Sequence, residues 1–127
     1  MSFIPDDLEY TREHTWKRDE GDGTFSIGIT DYGQEKLGEF VFVELPEVGR
    51  RMMAGEAVGV VESVSDVLRV QTPRAGEVVA TNPELDSSPE LLNSDPYGEG
   101  WLFRIMPEDG APTHGVIDAA TYGEMFG

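Results

Sequence analysis

Glycine and proline interrupt this chain about every eight to twelve residues, and the runs between them are short and rich in β-branched and aromatic side chains. No segment between breakers is long enough for an extended helical bundle, so the rhythm predicts a small, mainly β domain. The expected strands are Tyr10–Lys17, Thr24–Ile29, Glu39–Glu44, Ala57–Glu62, Val67–Gln71, Gly76–Thr81 and Trp101–Met106. Glu20-Gly21-Asp22-Gly23 supplies the tolerance of positive φ that a tight hairpin needs. Asp19, Glu20 and Asp22 lack the twelve-residue spacing of a calcium loop, so they are expected to form a plain turn. Two short helices fit the remainder. One is capped by Thr30 or Asp31, runs to Leu37 and is ended by Gly38; the other is Asp118–Phe126, with Asp118 as N-cap. Val116, Ala119, Ala120 and Tyr122 do not form a clean stripe on that second helix. Ala54-Gly55-Glu56-Ala57-Val58 returns as Ala75-Gly76-Glu77-Val78-Val79, which would suit two quasi-equivalent halves with a hairpin between the copies.

The 127 residues are expected to form one domain spanning 1–127. A net charge of −16 argues against a protein that tracks nucleic-acid phosphates or is held to anionic lipid. Lysine occurs only as Lys17 and Lys36, and cysteine is absent, which excludes disulfides and thiolate chemistry. The acid excess suits either a halophile-like surface or an ordinary acidic bacterial protein. The longest apolar run, Ala57–Val61, is too short to span a bilayer, and no signal peptide is read at the start, so a cytoplasmic location is expected. Asp86–Glu99 is turn chemistry throughout, with acids and no bases. It is expected to be a solvated loop anchored by Leu91, Leu92 and Tyr97, with an acidic docking rim as the functional alternative.

The residues offer little catalytic chemistry. His14 and His114 are the only histidines and lie a hundred residues apart. Ser65-Asp66 with His14 can be drawn as a triad, but no strand–turn–helix setting surrounds Ser65. No metal-ligand spacing and no glycine-rich phosphate loop stands out. Trp16, Tyr97 and Trp101 are expected to be aromatic anchors with polar tips. The chain is read as a carrier or binding module and not as an enzyme.

Ile27-Gly28-Ile29-Thr30-Asp31-Tyr32, Leu37-Gly38-Glu39 and Val41-Phe42-Val43-Glu44-Leu45-Pro46 resemble the H protein of the glycine cleavage system. So do Val61-Glu62-Ser63-Val64, Pro73 with Gly76-Glu77-Val78, and Asn93 through Leu102. His14 and Trp16 match the family's first strand, and Asp118-Ala119 to Tyr122 its last helix. The resemblance covers nearly the whole chain. It implies a barrel-sandwich hybrid (the lipoyl- and biotinyl-type fold) with short helices and a C-terminal helix. It also implies a lipoate-bearing lysine at a hairpin tip. That arm takes an aminomethyl group from glycine decarboxylase (P protein) to aminomethyltransferase (T protein) and is reoxidised by dihydrolipoamide dehydrogenase.

The match fails at the acceptor. In the family the lysine stands three residues after the glutamate and eight before the proline, and between Glu62 and Pro73 that position is Ser65. Lipoylation forms an amide and needs an amine, and neither Lys17 in the first strand nor Lys36 in the first helix can substitute. Glu62 matches the acid by which lipoylating enzymes recognise the hairpin. Two positions that match carboxylates of the family's arm cleft are also altered, to Thr15 and Arg69, and a cation beside a cationic amine is unfavourable. Leu68-Arg69-Val70-Gln71-Thr72 replaces the family's usual Ser-Asp-aliphatic-Tyr-Ala. The resulting expectation is a non-lipoylated binding or regulatory paralogue with no cofactor. Its partners would be T protein, P protein, dihydrolipoamide dehydrogenase or a lipoylating enzyme. The alternative is a genuine aminomethyl carrier in glycine catabolism.

Overall fold

The computed structural model describes residues 2–127. In chain order the strands are β1 (Glu9–Thr11), β2 (Thr15–Asp19), β3 (Phe25–Ile29), β4 (Phe40–Glu44), β5 (Arg51–Met52), β6 (Ala57–Ser63), β7 (Val67–Gln71), β8 (Gly76–Thr81), β9 (Phe103–Pro107) and β10 (Val116–Asp118). The helices are α1 (Asp31–Leu37), α2 (Glu84–Ser87), α3 (Leu91–Ser94) and α4 (Ala119–Phe126). A seven-stranded sheet in the order β10-β1-β2-β3-β9-β8-β5 packs with a three-stranded sheet, β4-β6-β7. All pairings are antiparallel. Between the sheets lie Phe25, Ile27, Ile29, Phe40, Val43, Val61, Val70, Phe103 and Ile105. The mainly β class with a C-terminal helix is as expected. Among the described residues no helix is long and apolar enough to cross a membrane.

The expected strand Tyr10–Lys17 is two strands, folded back at a turn with neither glycine nor proline. His14 takes φ 71° there, the left-handed region that histidine enters more readily than most side chains. Its N–H donates to the Thr11 carbonyl at 3.2 Å, and the Thr11 and Thr15 hydroxyls meet at 2.6 Å across the fold. The Glu20–Gly23 turn forms as read, with Gly21 and Gly23 at φ 87° and 93°. The Asp22 carboxylate closes it by accepting from the Thr24 amide and hydroxyl. Of the two repeated segments, one launches β6 and the other β8, in different sheets, with the β6–β7 hairpin between them.

Asp86–Glu99 is anchored as expected, with Leu92 fully buried and Leu91 and Tyr97 packed on the core clusters, but it holds helical structure: α3 carries Leu92, and α2, which carries the buried Leu85, runs into its start. The segment is then tied to the sheet at both ends. Asn82 Nδ2 donates to the Glu99 and Trp101 carbonyls, Trp16 Nε1 to the Pro96 carbonyl at 3.0 Å, and Arg18 to the Tyr97 carbonyl at 2.7 Å. Four-residue helices are too short to show a period, so the apolar anchors were the only signal they left.

A second cluster, Leu8, Tyr10, Trp16 and Tyr122, holds the C-terminal helix. Val116 belongs to β10, and without it the buried side of α4 is the ordinary i, i+3, i+7 stripe Ala119, Tyr122, Phe126. His14 Nδ1 meets the Tyr122 hydroxyl at 2.9 Å. That hydroxyl meets Thr30 Oγ1 at 2.8 Å, and Thr30 Oγ1 caps α1 by accepting from the Gly33 amide. Burial, with the Lys36 charge second, pushes the His14 pKa below its ordinary 6.5. The folded protein therefore holds fewer protons than the unfolded chain as the pH falls through that value. Stability is full above it and declines below it. The urea midpoint is expected to fall between about pH 7 and about pH 5, and His14→Asn, which keeps tolerance of positive φ, should flatten that slope. An unchanged slope in the variant would assign it to other groups.

Candidate functional site

The β6–β7 hairpin carries Ser65, the position expected for the acceptor. Ser63 and Asp66 close its two-residue loop. The Ser63 amide donates to the Asp66 carbonyl at 2.9 Å, and the Asp66 amide donates to Ser63 Oγ at 3.1 Å. The Asp66 carboxylate in turn accepts from the Val67 amide at 2.9 Å. Ser63 and Asp66 thus do the capping, and Val64 and Ser65 form the exposed tip. Val64 is 81% exposed, an unusual position for a valine. The tip is held by a rigid base, since Val61 and Val70 below it are buried in the core.

The register places the remaining candidates. Glu62 lies between Phe42 and Val67 in one cross-strand row, and Arg69 lies beside Val60, which faces Glu44, in the next. Glu62, Ser65 and Arg69 therefore share one hairpin. Thr15 does not join them. It is buried on β2 in the other sheet, and it lines a cleft of about 150 Å³ with Thr11, Glu13, Gln71, Thr72, Pro73 and His114. The two groups meet only through β7, whose Gln71 reaches the cleft from the strand that carries Arg69.

Sequence reasoning missed Glu13, Thr11 and His114 as cleft residues. Among the described residues Glu13 is the one carboxylate lining the cleft, two residues from Thr15. The reversal between β1 and β2 is what brings Thr11 and Glu13 to the same cleft as Thr15. The proposed triad does not assemble, since His14 is packed on Tyr122, Tyr32 and Phe126 while Ser65 stands at the hairpin tip. Among the described residues no three His, Asp or Glu side chains are placed to hold a metal ion.

The donor set does not fit a covalent lipoyl arm. An amide needs an amine, and the exposed tip offers the Ser65 hydroxyl. Lys17 is 7% exposed, with its ammonium at 3.2 Å from Glu9 and 2.9 Å from Asp19. Lys36 lies in the last turn of α1, outside the hairpin. A buried, doubly paired ammonium and a helix-borne one cannot take the place of a free amine at the tip of a turn.

The family model described as glycine cleavage H-protein matches residues 8–126. A glycine cleavage system H protein from Burkholderia ambifaria is 53% identical over 126 residues, covering 99% of each chain. One from Pseudoalteromonas atlantica is 52% identical over 122 residues, covering 96% of this chain and 95% of its own. The crystal structure of a glycine cleavage system H protein from Mycobacterium marinum superposes with a TM-score of 0.87 at 36% identity. It covers 96% of this chain and 98% of that one.

Proposed function

Because the chain belongs to the glycine cleavage H-protein family, we propose that it is a non-lipoylated member, a binding or regulatory module that keeps the scaffold and lacks the arm. Members of the family are carriers and not enzymes; they bear covalent lipoate and interact with the P and T enzymes and with lipoamide dehydrogenase. The observation that supports the reading is the exposed Ser65 hydroxyl at the hairpin tip, with the chain's two lysines committed elsewhere. The whole of 1–127 acts as one such unit. It works in the cytoplasm, in contact with glycine decarboxylase, aminomethyltransferase, dihydrolipoamide dehydrogenase or a lipoylating enzyme. The alterations at Thr15 and Arg69 fit a protein released from the task of holding a cationic arm.

A second reading is a genuine aminomethyl carrier. The roughly one-half identity to relatives bearing the H-protein name favours it, as does the Glu13 carboxylate in the cleft.

The two part on one measurement, the intact mass after co-expression with a lipoylating system and free lipoate. The non-lipoylated reading expects the sequence mass, and a gain of one lipoyl group would overturn it. The binding role is checked by low-salt pull-down against the four enzymes named above; capture of none of them would remove it.

A further inference from the structure

In a chain of net charge −16, the outward face of the three-stranded sheet mixes exposed apolar side chains with both signs of charge. Its two central rows are Phe42–Glu62–Val67 and Glu44–Val60–Arg69. Phe42 and Val67 are about half exposed, and Val64 stands clear at the tip above them. The opposite faces of the same strands, Val43, Val61 and Leu68, pack into the core, and on this face Phe42, Glu44, Val67 and Arg69 stay exposed among the described residues. Exposed apolar patches of this kind mark contact surfaces.

Its charges are what select the partner. Lys17, Arg18, Arg50, Arg51 and Arg104 all make ion pairs, whereas among the described residues Arg69 makes none, and neither do Glu44 and Glu62. Glu44 and Arg69 flank Val60 at two strand spacings, about 9.5 Å between backbones, and are not paired with each other in the structure. We propose that two copies of this chain pair through this face about a two-fold axis parallel to the strands.

That axis lays β4 of one copy over β7 of the other. Glu44 then faces Arg69 twice, Phe42 faces Val67 twice, and Val60 meets Val60 on the axis. This is the reciprocal pattern a two-fold interface requires, at an angle usual for aligned sheets. An axis perpendicular to the strands instead sets Arg69 over Val67 and leaves both ion pairs unmade. The favoured arrangement has one internal cost, because the two Glu62 carboxylates meet at the centre.

Sedimentation equilibrium on the chain at its sequence mass tests this, from micromolar to about millimolar protein and in about 0.1 M and 1 M salt. The mass should rise from 14.0 kDa toward twice that value and no further. It should rise at lower protein concentration in the higher salt, because salt screens the long-range repulsion of two acidic chains more than it screens short, partly covered ion pairs. Phe42→Asp and Arg69→Glu should each weaken association at least tenfold, Glu62→Gln should tighten it, and Glu44→Arg should restore it in the Arg69→Glu background. These are surface positions, and circular dichroism confirms that each variant is folded. A mass of 14.0 kDa under every condition, growth past the dimer, or a dimer indifferent to Arg69→Glu would overturn the proposal.

Discussion

Replacing Ser65 with lysine should convert a chain that stays at its sequence mass into one that gains a single lipoyl group, under co-expression with a lipoylating system and free lipoate. The effect is all or none because the substitution supplies the one missing functional group. The hairpin that would present it is already built. Ser63 and Asp66 close the loop through their own hydrogen bonds, none of which involves Ser65. The tip points into solvent, and Glu62 stands three residues before it and Pro73 eight after. Lysine at that position keeps the loop unchanged and projects an ammonium from it. If the Ser65→Lys variant is also unmodified, recognition has been lost along with the acceptor, and the place to look is Arg69. Ser65→Lys with Arg69→Asp then separates a missing amine from a repelling cation. If the parent chain itself gains the mass, the acceptor has been misplaced and the carrier reading stands.

Gly28→Ala should destabilise the protein by roughly 3–5 kcal/mol, the range for losing a large buried aromatic from a core. A Cβ at residue 28 would lie 2.3 Å from Cζ2 and 2.4 Å from Cε2 of Trp16. The indole cannot step aside, since it is 1% exposed and its Nε1 is held by the Pro96 carbonyl. Displacing it breaks that bond and loosens the segment that Pro96 and Tyr97 anchor. Tyr97 in turn joins the N-terminus to α1, accepting from the Asp31 amide and donating to the Phe3 carbonyl. With m-values of about 1–3 kcal/mol/M, the urea midpoint should fall by about 2 M or more. In a Trp16→Leu background the same substitution should cost less than about 1 kcal/mol, because the clash has been removed, and that non-additivity identifies the mechanism. Equal costs in both backgrounds would place the strain elsewhere.

Much of the architecture was legible because its signals are local. The glycine and proline spacing marked the short strands, Gly21 and Gly23 marked the β2–β3 turn, and Thr30 and Asp118 marked the helix starts, where each side chain does accept from the first turn. The position expected for the acceptor rests on counting along the resemblance, since the interval from Glu62 to Pro73 is uninterrupted and leads to Ser65. Resemblance along nearly the whole chain then pointed to the family that the comparisons establish.

What stayed hidden depends on contacts between residues far apart in the chain. The β1–β2 reversal has no breaker in it; His14 stands there in the left-handed region, with its ring met by Tyr122 some hundred residues later. Strands β5 and β10 are two and three residues long and exist only through pairing with β8 and β1. Asp86–Glu99 looks like turn chemistry throughout, and its helical turn α3 forms where Leu92 finds the core. The outward sheet face and the Glu13 cleft are likewise products of pairing. By itself the sequence determined the mainly β class, pointed by resemblance to the family, and set a serine, with no amine, at position 65. Only the tertiary structure decided which side chains share a surface, because strand register and sheet packing set that, and both depend on partners that no local window contains.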